Sequence, residues 1–179
     1  MEQNILKRYN EIHIMLWEEV IKVFAAMTSN ISDVKYYKEN GQLNKLHISN
    51  IKRTALLHLF VRGQITEEEK NNLLMNCVCA ACYVCAAVRS IEFIRGNTNW
   101  DSSRCECCPI KKWNSTGMHC NDYHTVEDKL DDVINYIVNC ITYRKKFNLW
   151  AYMKLRKAVM KKMYIVAHLE WGYEEDVKQ

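Results

Sequence analysis

Eight of the nine cysteines fall between Cys77 and His124. Within that stretch Cys82-Tyr-Val-Cys85 and Cys105-Glu-Cys107-Cys108 each hold two thiols across a two-residue spacer. Such a spacer lets both thiolates reach one ion at about 2.3 Å, and two such pairs match a four-thiolate zinc site. Cys120 is a fifth candidate ligand, and His124, four residues on, is a reserve. Three ligand sets compete: Cys82, Cys85, Cys105 and Cys108; one thiol of Cys82 or Cys85 with Cys105, Cys108 and Cys120; or the local set Cys105, Cys108, Cys120 and His124. Zinc is favoured over an iron–sulfur cluster. Cys107 reads as a bystander, while Cys77, Cys79 and Cys140 read as small buried hydrophobes. The alternative, cysteines scattered through a core, does not explain a Pro-bearing pair, Cys108-Pro109, in a polar loop.

Thiolate-only surroundings are typical of closed, structural zinc; a catalytic zinc keeps a position open for water beside a base. There is no His-x-Glu partnered with Pro-Cys-x2-Cys, as a nucleobase deaminase would need. The chain also lacks a P-loop, a G-x-G-x2-G and a G-x-S-x-G. His13, His47, His58 and His168 stand isolated, as ordinary surface or core histidines. Glu67–Glu69 reads as a helix start rather than an acid–base pair. The expectation is a non-enzyme, with a zinc-dependent enzyme third in order.

A second constellation lies further on. Between Val133 and Leu169 there are basic residues and no acidic one: Arg144, Lys145, Lys146, Lys154, Arg156, Lys157, Lys161 and Lys162. On a helical wheel Trp150, Lys154, Lys157 and Lys161 fall within about 60° of one another. Leu149, Met153, Met160, Met163 and Ala167 form a separate stripe, expected to face the core. The basic face is a candidate anion- or partner-binding surface, with Trp150 available to stack on a base or dock on a protein. A merely solvated helix face is the competing reading, and lysine dominance speaks against specific base reading.

The motifs Cys82-x2-Cys85, Cys105-x2-Cys108-Pro109-Ile110 and Thr116-Gly117-Met118-His119-Cys120 resemble the pattern of small, uncharacterised, Cys-rich bacteriophage accessory proteins. The resemblance covers residues 79–125. It departs where that family commonly has Pro-Tyr after the last Cys, since Asn121-Asp122-Tyr123 stands here. It implies a phage origin and a structural metal, and it carries no known activity.

These groups need elements to position them. Ile5, Tyr9, Ile12, Leu16, Val20, Val23 and Met27 recur at steps of three and four, so residues 2–27 read as an amphipathic helix. Lys7, Arg8, Glu18 and Lys22 read as its solvated face, and Ser29-Asn30 as its end. Asn40-Gly41, between Val34–Tyr37 and Leu43–Ile48, predicts either a short β-hairpin over 33–48 or an irregular loop. A helix follows over about Ile51–Arg62, with Gly63 as its stop. Thr66 and Glu69 predict a capping box opening a helix over 66–95, apolar nearly all round and expected to be the central one. On it Cys82 and Cys85 share a face, opposite Leu73, Cys77, Ala80, Val84, Ala87 and Ile91. Residues 97–124 have no helical period, and so long a loop needs something to hold it. Thr125–Asp128 begins another helix with Val133, Ile137, Cys140 and Ile141 inward, and a last helical pattern runs to about Leu169.

With 49% apolar residues, a net charge of +4 and 179 residues, the chain suits one domain with a sizeable core. The expected fold is mainly α: a single helical domain over 1–179 of about five helices, with a zinc-stapled, knuckle-like loop at 97–124 docking on helix 66–95. Glu18, Glu19 and Lys22 interrupt the first apolar run, which is unlike a signal peptide. Clustered thiols without such a leader point to the reducing cytosol, that of the host cell for a phage protein. Leu73–Val88 is shorter than the roughly 20 residues a spanning helix needs, so no membrane is expected. The leading function is protein–protein binding to a host or viral partner, including inhibition of a defence component. A nucleic-acid or nucleotide binder is the alternative, and a homo-oligomer fits either.

Overall fold

A computed structural model describes residues 2–76 and 121–168 of the chain. They form six α-helices: α1 (Glu2–Met27), α2 (Ile31–Glu39), α3 (Ile48–Val61), α4 (Glu67–Asn76), α5 (Asn121–Thr142) and α6 (Leu149–Ala167), with a 3-10 turn at Leu43–Leu46. The mainly α expectation holds, and no strand occurs among the described residues.

The short hairpin or irregular loop expected over 33–48 is replaced by α2 and the 3-10 turn. Asn30 caps α2 by accepting the Ser32 N–H at 2.9 Å, and Asp33 suits the positive end of the helix. Asn40-Gly41 then acts as a helix stop rather than a hairpin turn. Gly41 takes φ +64° and donates to the Lys38 carbonyl at 3.1 Å, while Gln42 donates to Tyr37 at 2.7 Å. That is the paired 5→2 and 6→1 bonding of a Schellman cap, for which glycine is suited because it has no Cβ. α3 ends the same way, with Gly63 N–H to Phe60 and Gln64 N–H to Leu59, as expected for Gly63. α3 begins at Ile48, a turn earlier than its apolar spacing alone predicts.

The capping box at α4 is present in both directions. The Thr66 N–H reaches Glu69 Oε2 at 2.8 Å and the Glu69 N–H reaches Thr66 Oγ1 at 3.1 Å. Glu69 has a second task. It receives Arg8 Nε at 2.7 Å and Nη2 at 2.9 Å, tying α4 to α1. Arg8, expected to be plain solvation, therefore bridges two helices. Its guanidinium holds the Glu69 carboxyl below the usual carboxylate range, against the opposing influence of burial.

α1 lies at the centre, packed on α3 along one side and α6 along the other. α5 packs on α6 and α2, and the described part of α4 packs chiefly on α3; the rest of the helix expected over 66–95, and with it the central place expected for it, lies outside the described residues. Sequence spacing marks a narrow stripe on α1, and Ile12, Leu16, Val20 and Val23 are indeed buried. His13, Trp17, Glu19 and Phe24 are buried too, which widens the covered arc to about 160° at 100° per residue. A helix covered over so wide an arc must have neighbours on two sides. The described helices share one core, completed by Ile51, Leu56 and Leu59 of α3, Leu130 and Ile137 of α5, and Val159 and Met163 of α6. Each such aliphatic side chain contributes about 1.5–3 kcal/mol on burial.

Two helix ends are closed by cations from neighbouring helices. α1 has no basic residue in its last turn. Arg156 of α6 supplies Nη2 to the Ala25 carbonyl at 3.0 Å and Nε to Thr28 Oγ1 at 3.1 Å. The Tyr152 hydroxyl adds a bond to the Thr28 carbonyl at 2.6 Å. Lys38 of α2 likewise donates to the Val138 carbonyl and the Thr142 hydroxyl at the end of α5. Positive charge there satisfies orphan carbonyls and the negative end of the dipole.

The cysteine-bearing part of helix 66–95 and residues 97–120 of the expected loop lie outside the described residues. Asn121–His124, expected to close that loop, form the first turn of α5.

Candidate functional site

α6 carries the site. Its start is fixed by Asn148, whose Oδ1 accepts the Ala151 N–H at 3.2 Å. The Tyr136 hydroxyl of α5 accepts the Asn148 N–H at 2.9 Å and donates to its carbonyl at 3.2 Å. Phe147 packs against Tyr136 and Tyr152, with ring centroids 5.8 and 5.5 Å away. The entry angle of α6 is therefore set by two aromatic contacts and a cap.

Trp150, Lys154, Lys157 and Lys161 are exposed and line one groove of about 910 Å³, so the structure brings all four expected residues together. The Lys154 ammonium lies over the Trp150 ring, 5.3 Å from its centroid. The expected core stripe divides. Met163 and Ala167 are fully buried, but Leu149 and Met153 are exposed, at 64% and 49%, and Met160 is only half-buried. Met153, Met160 and Tyr164 line the groove with Ile21 of α1. The core face is instead Tyr152, Val159, Met163 and Val166. α6 has two apolar stripes, and burial of Tyr152 against the end of α1 decides which one turns inward.

The result is an apolar strip of Ile21, Trp150, Met153, Met160 and Tyr164 beside three ammonium groups. Lys154, Lys157 and Lys161 are exposed and have no carboxylate partner among the described residues. Methionine adapts to varied apolar shapes and tryptophan offers a large face, both features of binding surfaces.

Two polar clusters went unrecognised in the sequence. Glu19 of α1 is buried and receives Arg62 of α3 through two bonds, at 2.8 and 3.1 Å, and His58 Nδ1 at 2.8 Å. Lys22 stands 3.7 Å away. Burial raises the Glu19 carboxyl, yet the Arg62 and His58 bonds together with the charges of Arg62 and Lys22 outweigh it and the group titrates below its ordinary range. Only the phase of the helix could have found it, since Glu18 is exposed and Glu19 is not. The second cluster surrounds His13, buried between α1 and α6. Its Nε2–H donates to the Val166 carbonyl at 2.8 Å. Burial, aided by the charges of Lys52 and His168, pushes its pKa down to about 4, so the ring is neutral at physiological pH. His13 Nδ1 and the nearby Trp17 Nε1 have no hydrogen-bond partner among the described residues. Of the other histidines, His58 is the Glu19 partner, His47 precedes α3, and His168 follows α6 with its ring 4.1 Å from that of Tyr164.

Cys82, Cys85, Cys105, Cys108 and Cys120 lie outside the described residues. His124 is in the first turn of α5, and Cys140 is a free, half-buried thiol on the same helix. Among the described residues no cluster of three or more His, Cys, Asp or Glu has metal-binding geometry. No described helix is long and apolar enough to cross a membrane. No protein family, curated protein or solved structure matches the chain.

Proposed function

We propose that this protein is a non-enzymatic binding module whose α6 groove docks an acidic, amphipathic helix of a partner protein. The observation that carries the reading is the juxtaposition of Trp150, Met153, Met160 and Tyr164 with Lys154, Lys157 and Lys161 on one groove. An amphipathic helix lays its apolar face into such a groove, and acidic residues flanking that face would meet the three ammonium groups. The phage resemblance makes a host or viral protein the natural partner, including a component of a defence system. Four of Cys82, Cys85, Cys105, Cys108 and Cys120, with His124 in reserve, would hold a structural zinc.

Titration of the full chain with a fluorescently labelled acidic amphipathic peptide tests the docking. The parent should bind saturably. Trp150→Ala and the triple change Lys154→Glu, Lys157→Glu, Lys161→Glu should each weaken binding at least tenfold without lowering thermal stability. Equal affinity in parent and variants would refute the reading.

One observation favours a second reading: Trp150 is 72% exposed and paired with Lys154, as in single-strand binding surfaces where bases stack on aromatic rings. A short single-stranded oligonucleotide bound by the parent more tightly than the peptide, and released steeply by salt, would establish it.

A further inference from the structure

Residues 40–66 contain no Asp or Glu, yet they include Lys45, Lys52, Arg53 and Arg62. The fold engages Arg62 on Glu19 and buries Lys52. Lys45 and Arg53 meet a different fate. Both are exposed and line a second cleft of about 560 Å³, bounded by the end of α1, the segment Gly41–Lys45 and one face of α3. Among the described residues no carboxylate lines it.

Arg8 and Arg62 hold carboxylates and Arg156 holds the end of α1. Arg53 has no ion pair or side-chain hydrogen bond among the described residues, and Lys45 has only the Tyr37 ring, 5.9 Å away. Two cations drawn to one cleft repel each other, and an anion between them relieves that repulsion. A guanidinium offers a planar fork for a phosphate or carboxylate, and an ammonium adds a point charge. Gln42 and Asn44 place carboxamides on the same walls, and Leu57, 49% exposed, supplies an apolar one. The volume falls within the roughly 300–1,000 Å³ of small-molecule sites.

We infer that this cleft is a second binding site, taking a small organic oxyanion, a phosphate ester or a carboxylate. Arg53 and Lys45 hold its charged group, and the carboxamides of Gln42 and Asn44 hydrogen-bond its polar remainder. This inference is independent of the α6 groove.

Calorimetric titration of the full chain at low salt with adenosine monophosphate, inorganic phosphate and citrate tests it. At least one should bind one-to-one; binding confined to the two phosphates identifies a phosphate site, and binding confined to citrate a carboxylate site. Arg53→Gln should weaken that binding by about tenfold or more, the loss expected for a charge-assisted bond. Lys157→Gln, on α6 and outside the cleft, should leave it unchanged. Arg53 and Lys157 are exposed, so both variants should melt as the parent does. The inference is overturned if none of the three ligands saturates, if Arg53→Gln binds as tightly as the parent, or if Lys157→Gln weakens binding as much as Arg53→Gln.

Discussion

Replacing Arg62 by Leu would leave the Glu19 carboxylate buried with only His58 bonded to it and Lys22 at 3.7 Å. Breaking a fully buried ion pair costs roughly 3–5 kcal/mol, because the remaining charge is uncompensated. Arg62 is half-exposed and His58 stays, so the expected loss is smaller, about 2–3 kcal/mol at neutral pH. For a chain of this length that is a fall of roughly 5–10 °C in Tm. The pH dependence separates electrostatics from packing. The folded-state pKa of Glu19 lies below its ordinary value of 4.5. Its ionisation therefore stabilises the fold above the unfolded pKa, and that stability is lost as pH falls through the lower, folded value. In the variant, burial acts with less opposition and the carboxyl rises. The gap between parent and variant should thus be widest at neutral pH and narrow as acid pH protonates Glu19 in the parent as well. Denaturant melts followed by circular dichroism at neutral and at acid pH measure it; Glu69 titrates alike in both proteins and cancels. A gap of equal size at both pH values would refute the reasoning and assign the loss to packing of the Arg62 stem.

Further outcomes follow from the same contacts. His13 is depressed to about 4, so the fold favours its neutral form; stability should decline as pH falls from the unfolded value of 6.5 toward 4, by up to ~3 kcal/mol. His13→Gln should flatten that decline in pH-dependent melts, and an unchanged slope would contradict a buried neutral ring. Tyr152→Phe removes the bond to the Thr28 carbonyl and leaves a buried acceptor, for an expected loss of about 1–3 kcal/mol in the same melts. For the proposed zinc, elemental analysis should find one metal per chain in the parent and less in Cys105→Ser and Cys108→Ser; full metal content in both variants would contradict those ligands.

The helical architecture was legible because capping residues and apolar spacing agree. Thr66 with Glu69 and Gly63 each mark an expected boundary that the fold uses, whereas the caps that Asn30 gives α2 and Asn148 gives α6 were not read from the sequence. Asn40-Gly41 misled because the same dipeptide serves a hairpin turn and a Schellman cap, and only the following contacts choose between them. The grouping of Trp150 with Lys154, Lys157 and Lys161 was legible too, since the helical period fixes it. Which apolar stripe of α6 faces inward was not: Leu149, Met153 and Met160 have the same period as the buried Tyr152, Val159 and Val166. Glu19 is distant in sequence from His58 and Arg62 and meets them only because α1 packs on α3. Lys45 and Arg53 converge only once the Gly41 stop has folded the chain back beside α3.

The central claim is that a partner helix lies on the exposed stripe of α6. Methionine-methyl NMR during titration with the acidic amphipathic peptide tests it most directly, because methionines stand in the groove, in the core and at the second cleft. The account predicts saturable shifts at Met153 and Met160, which line the groove, with the core Met163 and with Met27, which lines the other cleft, unmoved. Saturable shifts at Met27 with Met153 and Met160 unmoved, or no saturable shift at any methionine, would contradict it.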